Sequence, residues 1–168
     1  KSARCGAIPS CEVSILGNVI PAKRESRGAS MITGFNHVSI VVPDLAAATA
    51  RLEKVYGLKA GEPKVNAEQG VRLAWIELPN ARLELMEPTG PDSPVARFLE
   101  RNPRGGIHHF CLNVDDLALT LAEVGRSHVK PLGEGKEQRN VHGDRIAFVH
   151  PKDFLGALVE LDEHEPGD

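Results

Sequence analysis

From residue 35 onward the chain shows short runs in which apolar and polar positions alternate, interrupted by stretches with helical spacing. Residues 35–42 (FNHVSIVV) read as a strand, and Asp44 is placed to cap a helix reaching about Tyr56, rich in Ala and Leu, with Gly57 as its stop. Strands near 58–65, 71–78 and 81–87 follow, with Pro79-Asn80 as the turn between the last two. A Pro/Gly-rich stretch and a helix at 94–101 lead to Gly105-Gly106. The order then starts again. A strand at 107–114 is followed by a helix that begins after Asp115 and ends near Gly125, then by strands near 128–133, 144–150 and 157–162.

Each half is therefore strand–helix–strand–strand–strand, a βαβββ module, with repeat 1 at about 34–88, a linker at 89–104 and repeat 2 at about 105–163. Neither half can cover its own sheet. Two copies should combine into one curved, eight-stranded mixed sheet with helices outside, an α+β architecture whose concave face receives the inward side chains of both halves.

Strand alternation assigns those side chains. In the first strand Val38, Ile40 and Val42 share one face and His37, Ser39 and Val41 the other; in the fifth, Phe110, Leu112 and Val114 oppose His109, Cys111 and Asn113. If the apolar set packs under the helices, His37 and His109 occupy equivalent inner positions, each seven residues before an Asp (Asp44 and Asp116), while His108 falls with the structural set. Glu84 and Glu160 stand between apolar neighbours (LEL and VEL), and an unpaired carboxylate there would be costly to bury. The offsets are 72 from His37 to His109 and 76 from Glu84 to Glu160, which is a repeat with one small insertion. Taken singly, a strand His or Glu is usually an ordinary sheet residue. Matching His and Glu positions in both repeats have no such explanation, so His37, Glu84, His109 and Glu160 are read as two imidazoles and two carboxylates converging on one divalent metal, with positions left for water or substrate.

The remaining chemistry is sparse. His150 reads as a strand-end brace, His128 and His164 as surface residues, and His142 lies in a glycine-bearing loop able to close over a substrate. Three cysteines give no disulfide framework, and Cys111 reads as a small buried side chain in a reducing compartment. Residues 1–30 have no sustained period, carry +3 of charge and end just before Met31; they are read as an extension outside the fold, whether a targeting segment, an upstream piece or a tail. The rest of the chain then carries −6 of the net −3, which argues against nucleic acid as the partner. No run is long and apolar enough for a bilayer.

The stretches FNHVSIVVPDL, ELPNARLELMEPTGPDSPVARFLERNPRGGIHHFCLNVDDL and HGDRIAFVHPKDFLGALVELDE, spread over nearly all of 34–162, resemble the vicinal oxygen chelate superfamily. Within it they are similar to the methylmalonyl-CoA epimerases. The resemblance implies paired βαβββ modules around a metal held by His37, Glu84, His109 and Glu160, usually cobalt or manganese, with zinc or nickel as further ions such a site accepts. It implies methylmalonyl-CoA as substrate, a usual homodimer, and C2 inversion by proton removal and return through a metal-stabilised enolate, with Glu160 as one proton carrier. A cytoplasmic location goes with it, or a mitochondrial matrix one if residues 1–30 are a transit segment. Some relatives carry Gln in place of Glu84. Some place a second glutamate where this chain has Leu73, leaving Glu68, Glu77, His142 or a metal-bound water for the other proton step. Arg97, Arg101, Arg104 and Lys152 are the cations considered for coenzyme A. The rival readings are a glyoxalase I-type lyase on the same fold and a non-catalytic small-molecule-binding module.

Overall fold

The computed structural model describes residues 32–133 and 138–163, so the readings of residues 1–30 and of His164 lie outside the described residues. In chain order the elements are β1 (Ile32–Val41), α1 (Leu45–Tyr56), β2 (Lys64–Asn66), β3 (Val71–Leu78), β4 (Ala81–Pro88), α2 (Pro94–Arg101), β5 (Gly106–Val114), α3 (Leu117–Gly125), β6 (Gln138–Arg139), β7 (Arg145–Val149) and β8 (Val159–Glu163), with a 3₁₀ turn at Pro151–Asp153. The eight strands form one mixed sheet in the order β2-β3-β4-β1-β5-β8-β7-β6. The βαβββ order recurs in each half, as the alternation predicts.

Two of the predicted strands are corrected. Of residues 58–65, only the end of the run joins the ladder, as β2, with one earlier bond from the Gly61 N–H to the Trp75 carbonyl; Leu58 and Ala60 pack on the Leu45 cluster, and Pro63 lacks the donor a longer ladder needs. Residues 128–133 make one isolated bridge, Pro131 to Val149, because His128 and Gly133 take positive φ (64° and 82°); the strand that pairs with β7 lies further on, at β6.

Both outer helices are held by the same device. Asp44 accepts the N–H of Ala47 and Asp116 that of Leu119, each at 2.8 Å, a cap worth about 1 kcal/mol. Glu87 then accepts the N–H of Leu45 and pairs with Arg72, while Glu163 accepts the N–H of Leu117 and pairs with Arg145. These acids carry the same offsets, 72 and 76, as the His and Glu pairs. Helix α1 covers Leu45, Ala74, Ile76 and Leu85, and α3 covers Val114, Leu117, Val149, Val159 and Leu161. Helix α2 works elsewhere: its Val95 packs with Val41, Val71, Leu73 and Met86 on the inner side of the first half.

The sheet curls until its two edges approach. Asn66 of β2 donates to the Arg139 carbonyl of β6 at 3.4 Å, and Val141 just beyond β6 packs on the Leu73 cluster of the first half. Where β5 leaves the linker, Gly105 (φ 78°) lies so close to β1 that a Cβ would stand 2.3 Å from the Val41 carbonyl oxygen. Gly105→Ala should therefore cost on the order of 2–4 kcal/mol, read as a fall in urea midpoint, because both the left-handed backbone and the approach that registers β5 on β1 are lost. A midpoint equal to that of the wild type would disprove this account of the junction.

Candidate metal centre

Four adjacent strands supply the inner cluster. On central β1, Ser39 has Glu84 of β4 and His109 of β5 as its Cα partners; His37 has Arg82 and Cys111, and Cys111 in turn faces Glu160 of β8. Ser39 is fully buried, and a larger side chain between Glu84 and His109 would block their approach. The structure thus brings all four sequence-predicted donors to one place. His37, Glu84, His109 and Glu160 are 4%, 6%, 3% and 5% exposed.

His37 Nε2 lies 3.7 Å from Glu84 Oε2 and 4.0 Å from Glu160 Oε2, and His109 Nε2 lies 2.8 Å from Glu160 Oε2. Ligand atoms held 2.0–2.2 Å from a common ion lie about 3 Å apart when adjacent in its coordination shell, so these spacings suit a shared cation. Donor atoms of His37, Glu84 and His109 fall within 4.8 Å of one another, as do those of His37, Cys111 and Glu160. Both Nε2 atoms are buried and stand within 4.0 Å of a buried carboxyl oxygen. The other ring nitrogen of His37 sets its tautomer. His37 Nδ1 is 3.0 Å from Asn36 Oδ1, and Asn36 commits its own amide N–H to Asn113 Oδ1 at 2.7 Å, so His37 donates from Nδ1 and keeps Nε2 bare. His109 Nδ1 meets His108 Nδ1 at 2.9 Å.

Electrostatics point the same way. Burial, then the neighbouring His109 and Arg82, lowers the pKa of His37 to about 3; burial lowers that of His109 to about 4. Burial raises Glu84 to about 7 and Glu160 to about 8. Without a cation the cluster favours neutral imidazoles and protonated acids; a divalent ion would reverse the preference of the acids while using the neutral imidazoles as they stand. Burial pushes the Cys111 thiol far up, so in the metal-free chain it stays protonated beside the cluster.

The cluster forms the floor of a cavity of about 990 Å³. Trp75 stands edge-on to His37 at 4.8 Å with Arg82 over its ring at 4.3 Å, and Phe148 stands edge-on to His109 at 5.3 Å. Sequence reasoning passed over Asn36, Trp75 and Phe148; the last two are the cross-strand partners of Glu84 and Glu160, a signal that needs the strand register. His108 corrects the expectation that it packs under the outer helices: half-buried, it lines the cavity between Phe98 and His109. His150 does brace its turn, accepting the Lys152 N–H. Glu68 and His142 line the cavity; Glu77, Arg97, Arg101, Arg104 and Lys152 do not.

A model of the Glyoxalase/Bleomycin resistance protein/Dioxygenase superfamily matches residues 36–148. The chain belongs to that superfamily. Among its relatives, the ethylmalonyl-CoA/methylmalonyl-CoA epimerase of Cereibacter sphaeroides is 44% identical over 133 residues, covering 79% of this chain and 99% of that one. The crystal structure of methylmalonyl-CoA epimerase from Mycobacterium tuberculosis superposes with a TM-score of 0.74 at 31% identity, over 84% of this chain and 94% of the other. A methylmalonyl-CoA epimerase in complex with methylmalonyl-CoA and NH4+ gives a TM-score of 0.71 at 33% identity, over 79% and 94%. The superfamily match and the inner donor set agree on a divalent metal. Among the described residues, no helix is long and apolar enough to cross a membrane.

Proposed function

We propose that this chain is a divalent-metal-dependent epimerase that inverts C2 of methylmalonyl-CoA, with His37, Glu84, His109 and Glu160 as the metal's ligands. The observation that carries the reading is the buried two-imidazole, two-carboxyl cluster under a large cavity, in a chain whose relatives are named for that reaction. When bound, a cobalt- or manganese-type ion supplies positive charge beside the thioester and carboxylate oxygens, which makes the hydrogen between them easier to remove.

The protein's own groups do the rest. Glu160 Oε2 is the oxygen turned toward both imidazoles, which leaves Oε1 to take the proton from C2. Burial favours the proton on this carboxyl, which strengthens it as an acceptor, while a bound divalent ion would hold it ionised between turnovers. Asn36 keeps His37 in the tautomer that presents Nε2. Trp75 and Phe148 narrow the floor around the donors and keep bulk water from them.

The test is direct. Incubated in deuterated water with one epimer of methylmalonyl-CoA, the metal-loaded protein should place deuterium at C2 and erase optical purity. Turnover of only the hemithioacetal of methylglyoxal and glutathione would instead make it a glyoxalase. Binding without exchange, undiminished by chelation, would make it a binding module.

A further inference from the structure

We infer that His142 is the second proton-exchange group of this site, acting on the face of C2 opposite Glu160. The inference rests on the epimerase reading and adds the residue that reading lacks. Inversion needs a proton taken from one face and another returned to the other, so a single carrier on β8 is insufficient.

Strand β3, on the far wall of the cavity, turns no acid or base into it. The β3 residues that line it are Val71, Leu73 and Trp75, and only the indole N–H among them is polar. What reaches this wall is the loop after β6. It leaves the second half of the sheet but is seated on the first: Val141 packs on the Val71–Leu73 cluster, and the His142 ring lies 6.4 Å from Trp75, which also contacts the His37 ring.

The loop is also held in register with Glu160. Asn140 Oδ1 accepts the N–H groups of His142 and Asp144, at 2.8 and 3.0 Å, while its Nδ2 donates to Asp144 and to Asp162, both at 3.0 Å. Asp162 lies two residues beyond Glu160 on β8, so it shares the inner face. Gly143, at φ 95°, turns the chain back, and its carbonyl accepts Arg139 Nη1. An exposed imidazole thus sits on a backbone fixed to the same strand as the buried carboxylate.

Of the other titratable groups along the cavity, Glu68 is the one that competes with His142 for this role, and the variants below separate the two. Asp162 and Asp144 hold Asn140, Glu163 holds Arg145 and the Leu117 N–H, and His108 is turned to His109. In one direction the C2–H bond breaks as a Glu160 O–H bond forms, leaving the electron pair delocalised over the substrate's thioester and carboxylate. A His142 N–H bond then breaks as a new C2–H bond forms on the other face. The reverse direction exchanges the two roles. Water resets both carriers between turnovers, and His142, being exposed, resets quickly.

Each epimer is given separately, in deuterated water, to the metal-loaded full chain and to its His142→Asn and Glu68→Gln variants. With His142→Asn, the epimer whose C2 hydrogen faces Glu160 should still exchange within a few-fold of wild type. Its inversion should fall about 10²-fold or more, and the other epimer should stop exchanging. Unchanged inversion overturns the inference, as does an equal fall in exchange of both epimers, which would make His142 a binding residue. The same asymmetry from Glu68→Gln, and not from His142→Asn, overturns it too. A wild-type chain that exchanges neither epimer removes the epimerase reading itself, a result distinct from all of these.

Discussion

Glu160→Gln should slow proton exchange at C2 of methylmalonyl-CoA by about 10³-fold or more, measured as deuterium uptake under saturating metal. The substitution keeps the volume of the side chain and one carbonyl oxygen, so the wall between Phe148 and His109 stays filled. It removes the β8 carboxylate that stands against both imidazoles. It also removes one negative charge from the ion, and metal affinity should fall roughly tenfold. Saturating metal separates the two effects, because a lost ligand is restored by concentration and a lost base is not. Glu84→Gln is the companion: it removes a charge but keeps an amide oxygen on the opposite side of the cluster, and its loss of exchange should be much the smaller. Exchange by Glu160→Gln at the wild-type rate under these conditions would end the carboxylate's assignment as proton carrier.

The second large effect is on stability. In the metal-free chain Glu84 and Glu160 keep their protons up to pH about 7 and 8, against 4.5 when unfolded. Their contribution is complete below pH 4.5 and is lost as the pH rises through those higher values. His37 and His109 run the other way. They stay neutral down to about 3 and 4 when folded, against 6.5 unfolded, so their contribution is complete above pH 6.5 and is lost as the pH falls through 4 and 3. Between 4.5 and 6.5 the two pairs oppose each other. From 6.5 to 8 only the acids still change, and metal-free stability should fall by on the order of 2 kcal/mol, a drop of several degrees in Tm. Bound metal needs the acids deprotonated, so the rise in Tm on adding cobalt or manganese should grow over the same window, reaching about 4 kcal/mol at a thousandfold excess over Kd. A metal-free Tm that climbs from pH 6.5 to 8, or one indifferent to metal throughout, would contradict a four-donor cluster held neutral by burial.

Much of this was legible along the chain because it rests on local periods. His37, Ser39 and Val41 share a face by alternation alone, as do His109 and Cys111, and the structure buries these five on the inside. Asp44 caps its helix where the pattern places it, and Asp116 caps α3 one residue beyond the Asp115 expected to precede that helix. Glu87 and Glu163 repeat the offset of Glu84 and Glu160, and their shared use on helix N-termini went unread because a carboxylate's partner depends on which strand lies beside it. Residues 128–133 misled for a related reason. Their apolar content suits a strand, but positive φ at His128 and Gly133 breaks the ladder before it forms.

The sequence by itself determined the chemistry on offer: that the inner histidines and glutamates come in two matched pairs, and where most of the elements stop and start. Those properties follow from covalent geometry, since a strand turns each side chain over relative to the last and a helix needs its first N–H groups satisfied. Only the tertiary structure decided how close the donors come and what stands over them. The side-by-side placement of β4, β1, β5 and β8, the inward seat of Val95, and the reach of Val141 and His142 to the opposite wall depend on packing between residues remote in the chain. Such contacts follow from the curl of the whole sheet, and no short window of residues encodes that curl.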